Sequence, residues 1–204
     1  VHIPVQAPKE FTEKYIGSYR DGWHALRKNR QNAVKDLGLI PANASMKRMA
    51  ATDDWDDLSE EEKRYSDKRM SVYAGMVDAM DHHIGRLIQY LKESGQYDKT
   101  VIIFTSDNGP AAGDVPLLWI NALGYNRDYE TLGERYSYGT IGASFGSAVA
   151  SPLGHYKFHS GEGGIRVPLI ISGPQVADSH RGRISHSRAF VMVVTKISWL
   201  WKSI

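Results

Sequence analysis

Thr100-Val101-Ile102-Ile103-Phe104-Thr105 runs directly into Ser106-Asp107-Asn108-Gly109-Pro110. The first six residues are almost all β-branched or aromatic and show no polar alternation. That pattern predicts a strand with apolar neighbours on both faces, as in the centre of a parallel sheet. The five that follow are short, polar or ring-restricted and predict a sharp turn. A second run, Val167-Pro168-Leu169-Ile170-Ile171-Ser172, closed by Gly173-Pro174, reads as another buried strand. Upstream, Ser59 and Glu62 stand in the Ser-x-x-Glu capping pattern. Met70, Tyr73, Val77, Met80, Ile84, Leu87, Ile88 and Leu91 then recur every three or four residues up to Gly95. This predicts one long amphipathic helix over 59–94. A helix, a buried strand and a crossover to another strand form the α/β pattern, a mostly parallel sheet flanked by helices. In such sheets ligands gather beyond the carboxyl ends of the strands, which directs attention to Asp107 and Asn108.

Further out, His2-Ile3-Pro4-Val5-Gln6-Ala7-Pro8 reads as extended chain, because residues before proline are driven away from the α region. It can present His2 to a cleft. A short helix is predicted from Pro8 to Tyr15. Another is predicted from Asp21 to Leu37, with Gly38 as its C-terminal cap. The residues between the two strands, 111–162, are rich in Gly, Tyr and Ser and predict loops with short helices. The stretch is too long for an ordinary connection, and such insertions usually carry function.

Composition narrows the chemistry. With 25 Lys plus Arg against 23 Asp plus Glu, the net charge is +2, so no broad basic field exists for nucleic acid. The chain has no cysteine, which excludes disulfides, thiolate metal sites and cysteine nucleophiles within it. No apolar run approaches the ~20 residues that span a bilayer, and no signal peptide is visible.

Three groups of residues could do chemistry. Asp107 and Asn108 offer a carboxylate and a carboxamide, oxygen donors suited to a hard divalent cation. The competing reading is an Asx-type turn in which both side chains bond the local backbone. Lys157 lies five residues before Glu162-Gly163-Gly164, where glycines let a ligand approach the backbone, and its ammonium can hold an anion. Its competing reading is a solvated surface lysine. His2 reads equally as a hydrogen-bonded loop histidine. His82 and His83 point about 100° apart on a helix and do not converge on one ion. His155 and His159 could chelate zinc only if Pro152, Gly154 and Gly161 permitted a helix there.

Motifs then bring in a resemblance. Thr105-Ser106-Asp107-Asn108-Gly109, after Tyr73-Ala74-x-Met76-Val77-Asp78-x-Met80-Asp81-x-x-Ile84-Gly85 and before Glu162-Gly163-Gly164-Ile165-Arg166-Val167-Pro168, resembles the sulfatase family. The opening His2-x-Pro4-x-Gln6-Ala7-Pro8, with Tyr15-x-Gly17-x-Tyr19-x-x-Gly22-Trp23-x-Ala25-Leu26-Arg27, is similar to its bacterial arylsulfatase branch. The resemblance covers about residues 1 to 190. It implies an alkaline-phosphatase-like α/β fold and hydrolysis of sulfate monoesters at a calcium site, with magnesium the lesser candidate. It further implies Asp107 and Asn108 as metal ligands. Lys157 and His2 become the residues that contact the sulfate and its leaving oxygen. The implied partner is a small-molecule or glycan sulfate ester, and the implied compartment a bacterial periplasm or cytoplasm.

Some family features are not found in this sequence. The family's nucleophile is a formylglycine made in a Cys/Ser-x-Pro-x-Arg motif, and no such motif occurs here. Two acidic ligands from the family's first strand and the Lys-x-His pair near them are also missing. Where the family shows Asp, Pro-Thr and a leucine-rich helix, this sequence reads Val194-Thr195-Lys196-Ile197-Ser198-Trp199-Leu200-Trp201. The expectation is a partial catalytic domain over 1–204, whose N-terminal strands, formylglycine and C-terminal region lie outside it. Alone, it should be inactive. Phosphoester or phosphonate hydrolysis is the alternative activity, and a fragment that only binds ions is the non-enzymatic one.

Overall fold

The computed structural model describes residues 1–47, 52–174 and 176–185. The divergent segment Val194–Trp201 lies outside them.

Residues 2–8 form an extended segment. Val5 and Ala7 donate to the carbonyls of Gly139 and Gly133 at 2.9 and 3.0 Å, and the Gln6 amide donates to Ser137 O at 2.8 Å. Val5 is fully buried, so this edge is fixed by packing as well as by hydrogen bonds. Helix α1 (Lys9–Thr12) and a 3-10 turn (Glu13–Tyr15) follow, and then α2 (Gly22–Asp36). Helix α3 (Glu60–Glu93) starts at a complete capping box. The Ser59 hydroxyl accepts from Glu62 N, and the Glu62 carboxylate accepts from Ser59 N at 2.9 Å. The helix runs for 34 residues, as the sequence predicts, but its buried line differs from the predicted stripe. Ser66, Asp67, Met70, Ser71, Val72 and Gly75 are buried, while Val77 and Leu87 are exposed. Polar contacts redirect the helix. The Asp67 carboxylate accepts from Gly17 N and Tyr19 N at 2.9 and 2.8 Å, and the Ser71 hydroxyl donates to Tyr15 O at 2.9 Å. At Gly75 an added Cβ would lie 2.8 Å from Thr12 Oγ1, so α1 sits directly on the α3 backbone.

Strand β1 (Ile102–Thr105) pairs with β2 (Leu169–Ser172). The pair is antiparallel, with Ile103 opposite Ile171 and Thr105 opposite Leu169. The expectation of a central parallel strand at 100–105 and a second buried strand at 167–172 is corrected: among the described residues the two pair antiparallel, and Ile103, Ile170 and Ile171 are exposed. An apolar run reports affinity for neighbours on both faces. It does not report strand direction, and these two strands lack such neighbours among the described residues.

The long insertion between the strands supplies α4 (Leu117–Ala122) and α5 (Gly142–Ala150), and it contributes much of the core. Phe145 of α5 is fully buried and meets Trp23 of α2 and Trp55 edge-on, with ring centroids 5.5 and 6.1 Å apart. Trp23 and Trp55 themselves lie 4.7 Å apart at 87°. Edge-to-face rings of this kind are among the strongest apolar contacts a core can make. Helix α6 (Glu162–Ile165) leads into β2.

Candidate active site

The antiparallel pairing builds the site. Because Thr105 faces Leu169, the turn leaving β1 lies at the same end as the loop entering β2. Backbone bonds knit the two segments together. Gly109 N donates to Gly164 O at 2.9 Å, and Lys157 N donates to Pro110 O at 3.1 Å. The fit leaves no space for side chains: a Cβ on Gly109 would stand 1.8 Å from Gly163 O, and one on Gly163 would stand 2.1 Å from His155 O. These glycines are therefore required by contact with neighbouring backbone.

Asp107 and Asn108 sit on this turn with their side-chain oxygens uncommitted. Neither side chain makes a hydrogen bond or ion pair among the described residues. The Ser106 hydroxyl donates to the main-chain oxygen of Asn108 at 2.8 Å. Among the described residues the only side-chain bond within the turn is therefore that of Ser106, and neither Asp107 nor Asn108 closes an Asx-type turn. An exposed carboxylate beside a carboxamide fits an oxygen-preferring cation.

Lys157 and His2 meet. The lysine Nζ lies 2.7 Å from His2 Nε2, and His2 Nδ1 lies 3.0 Å from Ile3 O. An ammonium only donates, so Nε2 accepts and Nδ1 carries the proton given to Ile3. The imidazole is thereby fixed in one tautomer with its ring edge against a cation. His2 is a hydrogen-bonded loop histidine, and the same ring also meets Lys157.

The two histidine pairs singled out in the sequence do not form metal sites. His155 and His159 stack at 4.9 Å with planes 24° apart, so their rings lie face to face and do not converge on one point. His82 and His83 lie edge to face, and His83 is occupied by Arg86 at 3.1 Å. Among the described residues no group of three or more His, Cys, Asp or Glu is placed to hold a metal. Asp107 thus belongs to no such group, and the sequence-based expectation of a metal at Asp107 and Asn108 rests on those two residues alone. Sequence reasoning missed the 133–139 loop that holds the His2 segment, because its bonds run through the backbone and leave no side-chain signature.

The Sulfatase family matches residues 1–195. The chain belongs to the sulfatase family. This family lies in the alkaline phosphatase superfamily and implies its α/β fold. An uncharacterized sulfatase of Schizosaccharomyces pombe is 44% identical over 182 residues, 85% of this chain and 32% of that protein. An arylsulfatase of Klebsiella aerogenes is 31% identical over 193 residues, 91% of this chain and 40% of that protein. A multifunctional alkaline phosphatase superfamily protein of Trinickia caryophylli is 45% identical over 58 residues, 28% of this chain and 11% of that protein. The sulfatase chain thus spans about a third to two fifths of the first two relatives. Among its described residues the chain has no helix long and apolar enough to cross a membrane.

Proposed function

We propose that this chain supplies part of the metal and sulfate site of a sulfuric ester hydrolase of the arylsulfatase type. The observation that carries the reading is the Lys157–His2 contact, seated on a loop that is bonded to the Asp107–Asn108 turn. Asp107 and Asn108 would hold the cation, with calcium favoured by the family resemblance. Such an ion, when bound, polarises the oxygens of a tetrahedral anion and offsets their charge. Asn108 adds an oxygen without adding charge, which keeps the site receptive to a dianion. Lys157 holds the sulfate oxygens as a point charge. As the ester S–O bond lengthens, Lys157 also lies close to the oxygen on which charge grows. His2, whose Nε2 lies beside the lysine, would contact the same oxygens, and only as an imidazolium, with a second proton taken up on Nε2, would it hand a proton to the leaving oxygen.

In the whole protein, the β1–β2 pair is the margin of a larger, mostly parallel sheet flanked by helices, with β2 as an antiparallel edge strand, an arrangement known in mixed sheets. The nucleophile belongs to a formylglycine motif outside residues 1–204, so these residues alone turn nothing over. The test is hydrolysis of nitrophenyl sulfate by the full-length protein, with and without chelator. Chelator-sensitive turnover by the full-length protein and none by residues 1–204 is the expected result. Turnover by residues 1–204 alone would contradict it. A second reading, phosphoester or phosphonate hydrolysis, is favoured by the similarity to the multifunctional Trinickia protein, because lysine, histidine and a cation grip either tetrahedral anion. Preference for bis(nitrophenyl) phosphate over nitrophenyl sulfate would select it.

A further inference from the structure

Phe158 immediately follows Lys157, and three features of it are unusual. Its backbone φ is +74°, a left-handed conformation that bulky side chains rarely adopt. Its ring is 88% exposed, more than any other large hydrophobic side chain described. The ring centroid lies 5.3 Å from Lys157 Nζ, the same atom that contacts His2. The first two features cost stability: the backbone is strained, and apolar surface stands in water. The loop is nonetheless pinned on both sides. Lys157 N donates to Pro110 O at 3.1 Å, His159 N donates to Tyr156 O at 3.2 Å, and His159 Nδ1 lies 3.3 Å from Lys157 O. The backbone thus holds an aromatic face at the edge of the anion-gripping pair. Strain kept at such a place marks a residue whose position is used.

We propose that Phe158 is a specificity-determining wall for the organic group of the ester. It receives a flat apolar or aromatic group while Lys157 and His2 hold the sulfate. This rests on the sulfate-ester reading above and adds the chemistry of the substrate's other half. A ring face stacks on an aryl group and gains from excluding water, whereas a small alkyl group gains little.

The experiment compares benzenesulfonate with methanesulfonate as competitive inhibitors of nitrophenyl sulfate hydrolysis by the full-length protein. The two share one anionic head and differ only in the ring. Benzenesulfonate should inhibit about tenfold more tightly. Phe158→Ala should abolish that preference, and Phe158→Tyr should keep it. A wild-type protein without preference overturns the proposal, as does a Phe158→Ala variant that keeps it. Equal weakening of both inhibitors shows a ring that only packs against protein and overturns it too. If the unmodified protein hydrolyses no sulfate ester, the functional reading falls and takes this inference with it. If it does, failure of the inhibitor comparison removes only the role of Phe158.

Discussion

The Lys157 ammonium donates to Nε2 of His2 across 2.7 Å, although 155 positions separate them in the chain. The contact exists because two independent backbone junctions converge, one holding the His2 segment on the 133–139 loop and the other holding Lys157 on Pro110. Removal of either side chain should therefore impair catalysis without unfolding the protein. Lys157→Ala and His2→Ala in the full-length enzyme should each lower kcat/KM for nitrophenyl sulfate by about 10²–10³. The double variant should lose less than the product of the two, because the residues touch. Steady-state kinetics with a circular-dichroism control checks both points.

The uncommitted oxygens of Asp107 and Asn108 make a direct prediction about metal. Asp107→Ala should weaken calcium binding more than Asn108→Ala, since it removes a charge as well as a donor. Titration calorimetry on the full-length apo protein measures this. Excess chelator should abolish wild-type turnover, and added calcium should restore it.

At Gly109 a methyl group would meet Gly163 O at 1.8 Å. Backbone cannot move aside as a side-chain end can. Gly109→Ala should cost about 2–3 kcal/mol and should lower activity as well, by parting the metal turn from the Lys157 loop. Denaturant unfolding, with activity measured at low denaturant, separates the two effects.

Phe145 is fully buried among Trp23, Trp55 and Tyr19. Phe145→Ala should destabilise by about 3–5 kcal/mol through lost transfer energy and the cavity left behind. A matching fall in the unfolding midpoint is the expected readout. A change below about 1 kcal/mol would show that this cluster is not the core.

The Asp78 carboxyl is held below its ordinary value of 3.8, first by its hydrogen bond with Lys14 and also by the Tyr15 hydroxyl at 3.1 Å. A depressed folded-state value means the stabilisation is complete above the ordinary carboxylate range and is lost as pH falls through that range. Glu134, lowered mainly by its hydrogen bond with Lys9, acts in the same direction. The thermal midpoint should therefore fall on acidification from about pH 5 to about pH 2, and less steeply in Asp78→Asn.

The sequence by itself determined what is local. The capping box at Ser59, the span of α3, the turn after Thr105 and the family to which its motifs belong all follow from residues within a few positions of one another. Side-chain periodicity also announced an apolar stripe on α3, but the buried line lies elsewhere because Asp67 and Ser71 anchor the helix to residues 15–19. Strand direction was not legible, since an apolar run reads the same in either sense. Direction is what assembled the site. Had β1 and β2 run parallel, the entrance to β2 would lie a strand length, about 13 Å, from the Asp107 turn. Antiparallel pairing puts both at one end. Only the tertiary structure could decide that Lys157 meets His2 and that the oxygens of Asp107 and Asn108 stay free, because each depends on backbone contacts between segments far apart in the chain.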